Sequence, residues 1–275
     1  MEPHGTERAA ADRWSRGEKR AVTGKDAAVW EKGKHMRIIF IRHGDPDYEK
    51  DSLTEKGWRE AALLAERVSR WKVTDFYVSP LGRAQDTASL SLKKMGRQAR
   101  TLPWLREFRA FINDPGRGEH VIPWDFYPGF WTKEERMYDR NAFADTPVMR
   151  SGPVKEEYAR VCAGLDGLLA HYGYVREGGI YRTDLSGKTQ KDAVIVLFCH
   201  MGITLYLCGH LLGISPVVLT GGFFLAPTSV TVLASEERER GTAYFRCQAA
   251  GDTAHLLMGG EPVSHMGYFT EPFQG

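Results

Sequence analysis

Four side chains suited to phosphate chemistry stand just beyond short apolar runs of this sequence. Arg42 and His43 close and follow Arg37-Ile38-Ile39-Phe40-Ile41, His200 comes after the run from Ala193 to Cys199, and Arg83 lies shortly beyond Asp75-Phe76-Tyr77-Val78. Two imidazoles and two guanidiniums gathered at strand ends and helix N-termini would make an anion site, because the charges and the free helix N–H groups both attract phosphate oxygens. The ligand expected there is a phosphoryl group.

Phosphate monoesters hydrolyse extremely slowly unaided, so a nucleophile is required. The sequence offers no GxxxxGK[ST] loop, no CxxxxxR loop and no carboxylates spaced to hold a metal. Imidazole remains. A neutral His43, held in one tautomer by a backbone carbonyl, can attack phosphorus in line and carry the phosphoryl group. Arg42, Arg83 and His200 would then bind the equatorial oxygens. The departing alkoxide needs a proton; Glu107, at the end of its own extended segment, is the first candidate, with Asp45, Asp47 and Asp114 as the others. Cys199 reads as a buried structural thiol, since adjacent strand residues point to opposite faces and it cannot easily pair with His200. His210 reads as a packed histidine and His255 as a structural hydrogen-bonder.

Strands alternating with helices must place these groups. The runs ending at Arg42 and Cys199 are the continuously apolar kind expected of central strands buried on both faces. Thr54 can cap a helix in which Ala61, Leu64, Ala65, Val68 and Trp71 share one face. Ser79-Pro80 opens a helix containing Arg83, and Ala99 to Leu102 is a further extended piece. A helix is expected from Pro153, a polar hairpin over 175–191, and closing strands at Ser229 to Leu233 and Ala243 to Cys247 around a charged turn, Glu236 to Gly241. The fold class expected is α/β: a three-layer sandwich with a mostly parallel central sheet flanked by helices.

Between Arg109 and Gly152 periodicity is lost and aromatics gather, Trp124, Phe126, Tyr127, Phe130 and Trp131 among them. A stretch that long without a clear element reads as an inserted lid over 109–152. Arg109, Arg117, His120 and Arg136 are its cationic candidates for substrate recognition, set against the plainer reading of each as a solvated surface group. No run of Lys and Arg accompanies the aromatics, so packing is preferred to base stacking.

Composition excludes other classes. The 275 residues carry 37 Lys+Arg against 35 Asp+Glu, and the excess falls within residues 1–35, so neither a nucleic-acid partner nor an acidic tail is indicated. Residues 1–35 read as a disordered N-terminal extension and 36–275 as the functional domain. Four cysteines without a CxxC pair, and no signal-peptide pattern, point to a reduced cytoplasmic setting. From Ala193 to Ser235 there is no Asp, Glu, Lys or Arg, but Gly209, Gly213, Pro216, Gly221, Gly222 and Pro227 break the stretch, so it reads as a buried core and not as a membrane span. The apolar tail groups Met266, Tyr268, Phe269 and Phe273 either pack back on the domain or form a subunit contact, which makes a homodimer the candidate assembly.

Arg42-His43-Gly44, Leu53-Thr54-x-x-Gly57, Ser79-Pro80-x-x-Arg83-Ala84-x-x-Thr87-Ala88, Leu105-x-Glu107, His200-x-Gly202 and Asp252-x-x-His255-Leu256 follow one another in order. As a set they resemble the histidine phosphatase superfamily, the phosphoglycerate-mutase-like enzymes. The resemblance implies a phosphoglycerate-mutase-like fold, His43 as the phosphorylated nucleophile, Arg42, Arg83 and His200 as phosphate ligands, Glu107 as proton donor, and neither metal nor organic cofactor. The sequence departs from the family at Asp45-Pro46-Asp47-Tyr48, where a small or amide-type residue and then an Asn are common. It departs again at Phe108-Arg109-Ala110-Phe111, which lacks the Gly-rich continuation of the cofactor-dependent mutases. The second departure favours a phosphatase acting on a small phosphorylated metabolite. A phosphoglycerate-type mutase and a non-catalytic phospho-ligand-binding member are the alternatives.

Overall fold

The computed structural model describes residues 35–185, 187–268 and 270–273. The chain divides into two units, 1–31 and 32–275, and every described residue falls in the second. The expectation for residues 1–35 lies outside the described residues except at His35, whose Nδ1 donates to the Ser235 carbonyl at 2.9 Å. Phe269 lies outside them as well.

Eight strands form the main sheet, in the spatial order β5-β4-β10-β1-β11-β12-β9-β8, while β2 (Pro46–Asp47) and β3 (Ser52–Leu53) pair separately. One half is parallel: β5 (Ala99–Thr101), β4 (Asp75–Val78), β10 (Val194–Cys199) and β1 (Arg37–Arg42). The other half is antiparallel: β11 (Val230–Glu239), β12 (Thr242–Asp252), β9 (Ile180–Arg182) and β8 (Val175–Glu177). The sheet is therefore mixed, with hairpins joining β8 to β9 and β11 to β12 in its antiparallel half. Two sequence expectations change accordingly. The hairpin expected within 175–191 extends the main sheet. The charged stretch from Glu236 is strand and not turn: Glu236 pairs along β11 with Arg238 at 3.0 Å and across to β12 with Arg246 at 3.1 Å. The turn itself is confined to Arg240 and Gly241.

Strand periodicity sorts the central residues onto two faces. Ile38, Phe40, Tyr77, Ile195, Leu197 and Cys199 belong to one hydrophobic cluster, and Ile39, Ile41, Phe76, Val78, Val196 and Phe198 to the other. Helices α1 (Glu55–Val68) and α2 (Gly82–Met95) cover the second face through Leu64, Val68, Ala84 and Ala88. The Thr54 hydroxyl caps α1 by accepting from the Gly57 N–H at 3.1 Å. The first face is covered by α4 (Val154–His171) and α5 (Met201–Leu212). Each large side chain wholly buried in this way contributes about 1.5–3 kcal/mol, which is why runs such as Ile38 to Ile41 fix the centre of the sheet.

The stretch 109–152 holds a small hairpin, β6 (Ile112–Asn113) with β7 (His120–Val121), one short helix, α3 (Pro128–Trp131), and several single turns. Ala110, Ile112, Phe126, Met137, Phe143 and Met149 are buried in the first cluster, so the segment is packed into the core on the α4/α5 side. The charge-free stretch from Ala193 becomes β10, α5, α6 (Pro216–Gly222) and the start of β11. Among the described residues no helix is long and apolar enough to cross a membrane.

Candidate active site

The parallel strands β1, β10 and β4 end side by side. Arg42 is in register with Cys199 and Phe198 with Val78, so the next residues, His43, His200 and Ser79, emerge together at the carboxyl edge of the sheet. This is where open α/β sheets bind ligands. The rings of His43 and His200 stand 5.1 Å apart, centroid to centroid.

His43 Nδ1 lies 2.7 Å from the Gly44 carbonyl oxygen. A carbonyl only accepts, so Nδ1 carries the proton and Nε2 keeps its lone pair, as the sequence led us to expect. Burial, reinforced by the Arg42 charge, holds this imidazole well below its usual pKa and therefore neutral. The loop is fixed from behind: Gly44 N–H donates to Thr87 Oγ1 at 2.9 Å, and Asp45 N–H to Glu60 Oε2 at 2.8 Å. Gly57 is required here, since a Cβ on it would lie 2.9 Å from the Asp45 nitrogen and closer still to the Asp45 carbonyl oxygen.

His200 caps α5 and meets Ser79 Oγ through Nε2 at 2.7 Å. It too is held well below its usual pKa, chiefly by burial and then by His43. Arg42 is buried. Its Nη1 donates to the Leu225 carbonyl at 2.6 Å and its Nη2 to the Met266 carbonyl at 3.0 Å. Arg83 Nη1 pairs with Asp51 Oδ1 at 2.5 Å, and its guanidinium lies 5.4 Å from the centre of the Tyr48 ring. Arg42 Nε, Arg83 Nε and His200 Nδ1 are buried without a hydrogen-bond partner among the described residues. Three buried polar nitrogens around a neutral imidazole can receive an anion's oxygens while His43 Nε2 meets its centre.

Glu107 sits at the N-terminus of α5 beside His200. Its Oε1 accepts from Ile203 N–H and Phe108 N–H, both at 2.8 Å, and its Oε2 from Gly202 N–H at 3.2 Å. Burial raises its pKa despite these bonds, which favours a carboxyl that keeps its proton. The other carboxylates named from the sequence are engaged elsewhere. Asp45 accepts from Thr54 and Ser264, Asp47 pairs with Lys50 on the surface, and Asp114 is held in a turn by Gly116 and Arg117. The Cys199 thiol is pushed up to about 12 by burial, which removes it as a nucleophile. His210 bonds Asp166, and His255 bonds Thr228. Of the segment's cations, Arg117 and Arg136 are spent on Asp114 and Glu134. The tail packs back at Met266, on Arg42, and at Tyr268, stacked 4.2 Å from Phe224, while Phe273 is exposed.

Sequence reasoning missed the supports Asp51, Glu60, Ser79, Thr87 and the carbonyls of Leu225 and Met266. Ser79 and Thr87 stood in the Ser79-Pro80 to Thr87-Ala88 motif without an assigned role, and Glu60 carried a signal in following Gly57 by three on the buried side of α1. No group of three or more His, Cys, Asp or Glu among the described residues is placed to hold a metal.

Comparison with known proteins agrees with this architecture. Residues 38–115 match the sequence model of the histidine phosphatase superfamily (branch 1), a span that includes Arg42, His43, Arg83 and Glu107. A Yersinia enterocolitica protein named "probable phosphoglycerate mutase" is 31% identical over 97 residues, covering 32% of this chain and 45% of its own. A Yersinia pestis protein of the same name is 36% identical over 81 residues, 26% of this chain and 38% of its own. The chain thus spans less than half the length of the curated relatives it matches. In fold it is similar to mycobacterial glucosyl-3-phosphoglycerate phosphatase (TM-score 0.53, 20% identity, 79% of this chain and 99% of that one). It is likewise similar to phosphoglycerate mutase from Bacillus anthracis (TM-score 0.54, 18% identity, 83% and 98%). Over residues 38–115 the resemblance read from the motifs is matched by the superfamily model, and the fold is similar to that of phosphoglycerate-mutase-like proteins.

Proposed function

We propose that this protein is a phosphohydrolase that removes a phosphoryl group from a small phosphorylated metabolite through a phosphohistidine. The observation that carries the reading is the neutral His43 with Nε2 free, ringed by the buried, unpartnered nitrogens of Arg42, Arg83 and His200. His43 Nε2 attacks phosphorus as the ester P–O bond breaks, and the alkoxide takes the Glu107 proton. Water then attacks the phosphohistidine, giving its proton to the Glu107 carboxylate. The P–N bond breaks, and His43 returns with Nδ1–H still on Gly44. Throughout, Arg42, Arg83 and His200 oppose the charge on the equatorial oxygens.

A labelled phosphomonoester quenched in alkali should leave acid-labile, alkali-stable label on His43, and activity should survive chelators. Label on Cys199, or on no residue, overturns the mechanism. The name of the Yersinia relatives favours a second reading, a phosphomutase. Dependence of turnover on a bisphosphate primer would decide for it.

A further inference from the structure

Trp124 brings the segment 109–152 against the reacting end of the site. Trp124 lies in the turn Pro123–Asp125, anchored on either side by the buried Pro123 and Phe126. Its six-membered ring edge, Cη2 and Cζ3, rests on Gly202 in the first turn of α5. A Cβ placed on Gly202 would lie 2.9 Å from Glu107 Oε1 and nearer still to that indole edge. The carboxyl of Glu107 and the edge of the Trp124 indole therefore crowd the same point. Trp124 is half-buried, so part of its ring is open. Other aromatics of the segment meet different partners: Trp131 lies against Gly221, Phe126 beside Phe130 at 6.1 Å, Tyr138 beside Trp131 at 5.7 Å, Tyr127 under Arg117 at 4.5 Å and Phe143 against Tyr158 at 5.2 Å, while Phe111 is exposed.

On the phosphatase reading, the ester oxygen must come within hydrogen-bond reach of Glu107 to take its proton. The atoms of the alcohol just beyond that oxygen then meet the indole. We propose that Trp124 is a specificity-determining residue whose indole walls the leaving-group subsite and selects phosphomonoesters with a flat apolar ring next to the ester oxygen. Offset stacking of such a ring on the indole supplies discrimination that an open-chain alcohol cannot obtain. This inference rests on the proposed function.

The test compares kcat/KM for benzyl phosphate and ethyl phosphate, esters of alcohols of similar acidity, in the wild type, Trp124→Phe and Trp124→Leu. The wild type should prefer the benzyl ester. Trp124→Leu should lose about tenfold on that ester relative to the ethyl ester, mainly through KM, and Trp124→Phe should keep most of the preference. Loss by the same factor on both esters marks a residue that merely supports Glu107 and overturns the assignment, as does a wild type indifferent to the ring. If His43 takes label and both esters turn over without discrimination, only the Trp124 assignment falls. If His43 takes no label and neither ester is cleaved, the phosphatase reading falls and this assignment with it.

Discussion

Asp51 holds Arg83 and the start of its helix at once: Oδ1 accepts from Arg83 Nη1 at 2.5 Å, and Oδ2 from the Gly82 N–H at 2.7 Å. Asp51 itself adopts a left-handed backbone with φ of 49°, which Asp and Asn tolerate far better than most residues. Asp51→Ala should therefore raise KM about tenfold by releasing the guanidinium, the worth of one charge-assisted hydrogen bond. Asp51→Asn, which suits the turn and still accepts from Gly82, should recover much of that loss. Steady-state kinetics on both variants check this; equal KM in Asp51→Ala and wild type would show that Arg83 needs no clamp.

Glu107 is to give up a proton, so the rate should fall as pH rises through its pKa. Burial has moved that pKa upward and so extends the active range toward neutrality. His43, held well below the usual histidine value, stays neutral across the same range and should contribute no limb near pH 6.5. Glu107→Gln should lower kcat/KM for an alkyl phosphate by about 100-fold or more and abolish the alkaline limb. It should cost far less with p-nitrophenyl phosphate, whose leaving group departs without a proton. A pH–rate profile with both substrates is the measurement, and equal losses on the two would remove Glu107 as the donor.

Glu60 is wholly buried under the His43 loop, and burial raises its pKa from 4.5 to about 7. A carboxyl that binds its proton more tightly in the folded state stabilises the fold at low pH. That contribution declines as pH rises from about 4.5 through about 7, by on the order of 3 kcal/mol. Glu60→Gln keeps an acceptor for the Asp45 N–H and has no proton to lose. It should flatten the dependence and be the more stable protein at pH 8. Urea melts at pH 5 and pH 8 compare the two; an unchanged pH slope in the variant would show that Glu60 does not titrate with folding.

Ser264 is buried, donates to Asp45 and accepts from the Met266 N–H at 3.1 Å. Ser264→Ala leaves an Asp45 oxygen and the Met266 N–H unmatched, which should cost about 1–3 kcal/mol. It should also loosen the Met266 carbonyl from Arg42. Chemical denaturation gives the first effect, and a several-fold rise in KM reports the second. Wild-type stability in the variant would mean that the two Ser264 bonds do not hold the tail.

Much of the site was legible because its residues follow directly from strand ends: the apolar runs before Arg42 and His200 put both side chains at one sheet edge whatever the rest of the fold. The supports were not legible, since their roles depend on contacts far along the chain. Met266 meets Arg42 across 224 residues, and Asp51 meets Arg83 across 32. The antiparallel half of the sheet was underestimated for a related reason. Charges at Glu236, Arg238 and Arg246 look like a loop in one dimension, but in three Glu236 meets Arg246 across the strands. Trp124 was read only as one aromatic among many, because periodicity says nothing of which ring rests on Gly202.

The Met266 carbonyl on Arg42 also gives the chain an order of events. Synthesis runs from the N-terminus, so both histidines, Arg83 and Glu107 are in place while the last partner of Arg42 has yet to be made. A nascent or clipped chain ending before Met266 would display the nucleophile without a complete arginine clamp. On the proposed reading, such a chain would bind substrate several-fold more weakly until translation had passed that point.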